Sequence, residues 1–523
     1  MSFESPDLQT AERFIHGPGL AASLQTLSES DPDRVYLRSR KATVTFGELN
    51  ERVMKTADIL RERGVRAGMR VALALEVSAE HITLVFALMR IGAVWVPTNT
   101  QLKGAPLQHH LNDSKASLLI TETHSPLSEN LPESLPRREL LLPSETQYPI
   151  LEIDTSGLHE QHQGSEWADL AGVCLIMYTS GTTGPPKGTL VTETMIRAAV
   201  LGALEVTKPK LGDVYYVWEP LFHIGGAQVM FLPLFCSASL AIVPRFSASR
   251  FWTDIVEFDV THIHYLGGVL QILIQLPPTP EERDNCVRIA WGAGATREVW
   301  AACKDRFRFA LHECYGMTEV SSIVTVNRDN PNGGVGVPFP WVEIATQGEE
   351  RDASCSRGEI LVRGRVDGMI TPGYLGNPEA TASSRDGAWF KTGDLGRIRN
   401  ENLHFEGRNS DSIRVRGENV SAWQIESVFS LHPDVDRCAV VGVSAEVGEE
   451  EMLLVVTELE GKQISPAELI GWGEDRLARF QVPRYVKTIA DMPLTPSQRI
   501  SKHQLSRDLG GSYDSHRKLT LNI

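Results

Sequence analysis

The sequence predicts an α/β protein: a large N-terminal domain built on a parallel sheet with covering helices, followed by a small α+β domain. Three observations carry that expectation. Strand–helix–strand alternation runs between Thr45 and Val96, a second alternating set runs from about Val214 to Val326, and the texture changes after Gly407. A chain of 523 residues exceeds what one ordinary core supports, so two or more domains are expected, here 1–407 and 408–523.

Each element has a local reason. Thr45-Phe-Gly-Glu48 is a capping-box pattern that opens a helix, and Gly64 closes it. Val71-Ala-Leu-Ala-Leu75 reads as a strand. Ser78 can cap the next helix, from Ala79 to Ile91, with Gly92 ending it and Val94-Trp-Val96 returning as a strand. The Pro/Ser/Glu-rich stretch from His124 to Pro149 is expected to be a surface connection. Val173-Cys-Leu-Ile-Met177 is a continuous apolar run before a Gly-rich break, the pattern of a buried strand feeding a tight loop. After Gly407, Ala439-Val-Val-Gly-Val443 and Leu453-Leu-Val-Val456 read as short strands. One clear helix starts at Ser465, with Pro466 at its first position and Glu468 three residues after the cap. No internal repeat is visible.

Composition narrows the class. Hydrophobic content of 42% and charged content of 22% are those of a globular enzyme. A net charge of −15 argues against nucleic acid or an anionic membrane as the main partner. A polyanionic ligand must then be held by local donors. The seven cysteines are scattered with no C-x-x-C, so neither a zinc site nor a disulfide framework is indicated. The N-terminal residues lack an apolar h-region, and no apolar run approaches the ~20 residues that span a bilayer. A cytoplasmic protein with no membrane span is expected.

Tyr178-Thr-Ser-Gly-Thr-Thr-Gly-Pro-Pro-Lys-Gly188 holds three glycines, four aliphatic hydroxyls and one lysine. Glycines let backbone N–H groups turn inward and the hydroxyls add donors, so the loop suits a polyphosphate. It is not a Walker A sequence, because two prolines separate Gly184 from Lys187. The string resembles the signature loop of the acyl-adenylate-forming superfamily, which includes acyl-CoA synthetases, peptide-synthetase adenylation domains and luciferases.

Further segments resemble that superfamily's motifs in the expected order. Pro220-Leu-Phe-His-Ile-Gly-Gly226 matches its aromatic–histidine gate. Gly292-Ala-Gly-Ala295, Tyr315-Gly-Met-Thr-Glu319 and Trp389-Phe-Lys-Thr-Gly-Asp394 match its nucleotide-binding segments. Gly407-Arg408 matches the end of the large domain and Gly417-Glu-Asn419 a motif of the small one. The resemblance implies packed sheets in the large domain, a hinge to the small one, and ATP or acyl-AMP, Mg²⁺ and coenzyme A as ligands. Thr179, Ser180, Gly181, Thr182, Thr183, Gly184 and Lys187 would cradle phosphates. Gly292, Ala293, Gly294 and Ala295 would admit adenine, with Tyr315 as a stacking face beside Gly316. Thr318 would donate to a phosphate oxygen and Glu319 would ligate Mg²⁺. Asp394 would accept the ribose hydroxyls, as acidic residues do in dinucleotide sites. Arg408 would reach the ribose or phosphates. His223 stands where the family gates acyl carboxylate from incoming thiol. Amino-acid-activating relatives carry aspartate there, so the resemblance implies a carboxylic acid without an α-amino group. Gly267-Gly268 and Trp291 are expected to wall the acyl pocket, and His262 and His264 to be structural.

One segment departs from the family. Its small domain ends in Thr-x-Ser-Gly-Lys-Ile-x-Arg/Lys-x-x-Leu; here the text is Thr495-Pro-Ser-Gln-Arg-Ile-Ser-Lys-His-Gln-Leu505. The catalytic lysine's place is therefore taken by Arg499, a planar fork in place of a compact ammonium. Lys502 cannot fill that place without losing Ile500 and Leu505 from register. In relatives the lysine serves adenylation. Thioester formation uses the other face of the rotated small domain, where Gly417 leaves room for the pantetheine arm. Ser410, at a usual hinge Asp or Lys, is not read as impairing rotation. An acyl-CoA synthetase with a weakened adenylating half is thus expected, one that would imply a separate adenylating enzyme and a specialised biosynthetic setting. A complete acid:CoA ligase, transfer to a carrier-protein thiol, a non-catalytic adenylate-binding module and oxidative light emission stay open at this point.

Overall fold

The computed structural model describes residues 5–521 apart from 124, 126, 128–130, 132–134, 141, 143–149, 155–171, 180–185, 296, 348–350, 353–354, 409–411, 416–417, 446–449, 460, 494–499 and 501. Two large sheets form the N-terminal part. One has seven strands in the order Arg137–Leu140, Ile150–Asp154, Leu118–Glu122, Arg70–Ala74, Val94–Pro97, Val173–Thr179 and Lys187–Thr192, parallel in its middle and antiparallel at both edges. The other has nine, with six parallel strands from Ala310–Tyr315 across to Val35–Arg38.

The helices Ala79–Ile91 and Glu193–Thr207 are buried along almost their whole length. A helix apolar on all sides must be covered on all sides. A single core joins these helices to one face of each sheet, through Val71, Leu73 and Trp95 on one side and Tyr215, Leu240 and Trp291 on the other. The parallel sheets with covering helices expected from the alternation are therefore present, stacked around shared helices.

Local signals held well. Thr45 and Glu48 form a reciprocal capping box at the start of the helix Phe46–Glu62, a device worth about 1 kcal/mol. Ser78 caps Ala79–Ile91, and Gly92 closes it in the left-handed region at φ 79°. Two expectations need correction. The stretch from His124 to Pro149 contains the strand Arg137–Leu140, an edge strand whose exposed Arg138 and Glu139 break any apolar alternation and hid its pairing with Ile150–Asp154. The C-terminal part holds a second helix, Ala422–Phe429, besides Pro466–Glu474. Its apolar positions follow directly on a strand, with no clean break between the two periods.

A third, six-stranded sheet spans residues 342–408, and the small C-terminal domain folds around a five-stranded sheet begun by the hairpin Val435–Ser444 and Glu450–Glu458. Separate apolar clusters cover the two faces of that sheet. No helix among the described residues is long and apolar enough to cross a membrane.

Candidate functional site

Parallel strands of the nine-stranded sheet deliver their C-terminal ends to one cavity of about 410 Å³. That is where open α/β sheets characteristically bind ligands. Its walls include Thr179, Lys187, His223, Gly292, Tyr315 and Asp394. Residues far apart in sequence, and chosen as separate candidates, thus share one space.

At one end stands Asp394, buried, accepting a hydrogen bond from the Tyr315 hydroxyl at 2.8 Å. Gly393 before it has φ 74°, a conformation only glycine adopts without strain. Tyr315 lies near the Phe405 ring, 6.1 Å between centroids, so its ring lines the cavity while its hydroxyl holds the carboxylate. Strand register sets Arg408 opposite Asp394. Gly292 has a reason the sequence did not disclose: a Cβ there would lie 1.8 Å from the Tyr265 carbonyl oxygen. The neighbouring strand, before any ligand, excludes a side chain. Gly316 is held likewise against the Ser322 carbonyl. Gly294 and Ala295 donate their N–H groups to Glu313, whose carboxyl burial pushes up to about 7.

Glu319 is almost fully buried. Its Oε1 accepts from Thr179 at 3.1 Å, Thr189 at 3.3 Å and Tyr374 at 3.2 Å, while its Oε2, equally buried, has no hydrogen-bond partner among the described residues. An orphaned carboxylate oxygen costs free energy unless a cation or donor meets it. Among the described residues no cluster of three or more His, Cys, Asp or Glu could hold a metal alone. A single carboxylate beside a phosphate-binding space is the donor set that suits Mg²⁺, which takes one or two carboxylates together with phosphate oxygens. Thr318 lies at the same wall, its hydroxyl 3.8 Å from the Met177 sulfur.

His223 lines the same cavity, and its Nε2 lies 2.6 Å from Glu418 Oε2, a carboxylate of the C-terminal domain. Burial alone would lower the imidazole's pKa; Glu418, with help from Glu219, outweighs that and holds it above its ordinary value. The sign of the linkage follows. The contact's contribution to stability is fully present below about 6.5, the ordinary histidine value, and is lost as pH rises through the raised one. Replacing Glu418 by glutamine removes the charge but keeps the shape, so the His223 titration, followed by NMR of ¹³C-labelled histidine, should move to lower pH. An unchanged titration would show that the two side chains do not meet in solution.

Ser180, Gly181, Thr182, Thr183, Gly184, Gly417 and Arg499 lie outside the described residues. Trp291 lines the cavity as expected. His262 is buried with Nε2 on the Thr207 carbonyl, a structural role. His264, expected to be structural too, is corrected: it lines the cavity, with Nδ1 2.6 Å from Glu219 Oε2. Its place at the C-terminal end of the strand His262–Leu266 makes the difference. Sequence reading missed Glu219, Gln228 and Tyr374, and it quoted Glu418 inside the Gly417-Glu-Asn419 motif without giving it a role. Glu219 carried a signal as well, as an acid placed directly before the Pro220–Gly226 motif.

The profile of the AMP-binding enzyme family matches residues 24–375, and that of the AMP-binding enzyme C-terminal domain matches 424–499. A crotonobetaine/carnitine–CoA ligase of Salmonella paratyphi A is 29% identical over 484 residues, covering 88% of this chain and 92% of the relative. The solved o-succinylbenzoate CoA synthetase of Bacillus subtilis, as a double mutant bound to a CoA product analogue, matches with TM-score 0.78 and 25% identity over 93% of this chain and 98% of that one. The same enzyme holding its acyl-adenylate intermediate matches with TM-score 0.62 at 25% identity, over 92% and 97%.

Proposed function

This chain belongs to the AMP-binding enzyme family, and from that premise we propose that it makes an acyl-CoA thioester from an acyl-adenylate and CoA, its own ATP-dependent adenylation being weak. It is an acid–thiol ligase of the acyl-CoA synthetase type, and ATP, Mg²⁺ and CoA are the ligands its family uses. The finer reading rests on one observation above others: Glu418, from the segment Gly417-Glu-Asn419, sits on the gate residue His223. In relatives that segment belongs to the small-domain face used for thioester formation, so the contact supports this reading. The greater likeness to the CoA-adduct form of the Bacillus enzyme than to its adenylate form supports the same arrangement. Arg499 in place of lysine supports the weak adenylating half.

In this reading the domains divide at residues 407 and 408. Asp394 and Tyr315 hold the ribose, and Gly292, Ala293, Gly294 and Ala295 border the adenine. Thr179, Lys187 and Thr318 face the phosphate, with the loop Ser180, Gly181, Thr182, Thr183 and Gly184 and with Arg408. Glu319 would hold Mg²⁺, which supplies charge neutralisation to a triphosphate when bound. The CoA sulfur bonds to the acyl carbon, the bond from that carbon to the phosphate oxygen breaks, AMP departs and the thiol proton is released. His223 at the gate, without an aspartate, favours acids lacking an α-amino group. A separate adenylating enzyme would supply the mixed anhydride.

Two assays on the purified protein test this, one with ATP plus a panel of acids, the other with the matching acyl-AMPs plus CoA. Thioester should form rapidly in the second and slowly in the first. Vigorous acyl-AMP formation from ATP would sink the weak-adenylation reading, leaving a complete ligase; CoA-independent transfer to a carrier-protein thiol would replace the acceptor.

A further inference from the structure

The cavity has a buried polar corner where Glu219, His264, Trp291 and the helix that carries Gly225 and Gln228 meet. Gln228, on the helix Ile224–Val229, is 1% exposed and lines the cavity. Among the described residues neither its Oε1 nor its Nε2 has a hydrogen-bond partner. Trp291, fully buried and lining the same cavity, has an indole N–H in the same condition. Beside them lies the Glu219–His264 pair, 2.6 Å apart. Both Glu219 oxygens lie 2.7 Å from where Gly225 would carry a Cβ. The missing side chain of Gly225 is what gives the carboxylate its place above the helix.

These facts restrict what can fill the corner. A hydrocarbon chain would leave a buried amide and an indole N–H unpaired, an arrangement native interiors avoid. A second carboxylate would face Glu219: burial alone would raise that carboxyl's pKa, but His264, His223 and Arg414 outweigh burial and keep it below its ordinary value, as an anion. A cationic group would meet His223 and Arg414, which also face the pair. The charges here already have partners. The neutral groups, the Gln228 amide and the Trp291 indole N–H, do not among the described residues.

We propose that the acyl group carries an uncharged hydrogen-bonding substituent, a hydroxyl or a carboxamide, which both donates to and accepts from Gln228, so that Gln228 determines specificity. This rests on the reading that the Gln228 end of the cavity takes the acyl chain.

The test uses non-hydrolysable acyl-sulfamoyl adenosines in matched pairs, with and without a hydroxyl or carboxamide at successive chain positions, titrated calorimetrically. At one position the polar member should bind about 10- to 100-fold tighter than its hydrocarbon match, the range for satisfying a buried neutral donor and acceptor. In Gln228→Met that preference should collapse to near equality while affinity for AMP stays unchanged. Hydrocarbon members binding as tightly as polar ones at every position in the wild-type protein would overturn the proposal, and so would a preference that survives in Gln228→Met. The wild-type panel decides alone if that variant fails to bind AMP. Thioester formation is measured separately: if no acyl-AMP yields thioester yet the polar preference persists, the proposed reaction falls and the role of Gln228 stands.

Discussion

Arg499→Lys is expected to raise acyl-AMP formation from ATP and acid by about 10- to 100-fold, while leaving thioester formation from ready-made acyl-AMP nearly unchanged. Losing one well-placed donor to a developing oxyanion costs about 10²–10³ in rate, and the charge that arginine retains recovers part of that. The two side chains differ less in charge than in shape: a compact ammonium can sit between a carboxylate and a phosphate in a space that the longer, planar fork of arginine does not match. Pyrophosphate release measured beside acyl-CoA formation separates the half-reactions. An Arg499→Lys protein no better with ATP than the wild type would mean that the deficit lies elsewhere in the segment, Gln498 being the next residue to restore, or that no deficit exists.

Glu319→Gln is expected to act in the opposite sense. ATP-dependent adenylation should fall by about 10²–10³, the usual cost of removing a group that stabilises transferring phosphoryl charge, and its dependence on Mg²⁺ concentration should shift to higher values. Thioester formation from acyl-AMP involves no triphosphate, so it should fall far less. The orphaned Oε2 gives the reason: it is a buried carboxylate oxygen beside the phosphate-binding space with no hydrogen-bond partner among the described residues, and an amide nitrogen in its place would repel a cation. Equal losses in both half-reactions would reassign Glu319 to holding Thr179, Thr189 and Tyr374 in place.

The sequence made the layered core legible because its signals are local. Thr45 with Glu48 and Ser78 with Gly92 marked helix ends through hydrogen bonds that span a few residues. The edge strand Arg137–Leu140 was not legible, since solvent and not a core sets its polar face. In the site, residues inside ordered motifs were found: His223, Tyr315, Thr318, Glu319 and Asp394 all line the cavity. Residues whose importance depends on distant elements were not. Glu418 stood inside the Gly417-Glu-Asn419 motif, but its contact with a side chain 195 positions away was not legible, and His264 lines the cavity because the strand ends where it does. Gly292 was chosen for a good reason that proved to be the second one, behind its contact with the next strand.

The loop from Tyr178 to Gly188 suggested a protein that activates its own substrate, and the His223–Glu418 contact alters the timing of events around it. If His223 is the gate of the proposed function and the C-terminal domain swings, a bulky mixed anhydride can reach it only while that domain is away. Acyl-AMP reacts with water, so under the proposed function a protein supplied with it from elsewhere must catch it during a short lifetime and then shut the mouth behind it. Under that proposal the strength of one imidazole–carboxylate pair would set a dwell time: too tight, and the cavity stays closed to its supply; too loose, and the anhydride leaks away before the thiol arrives.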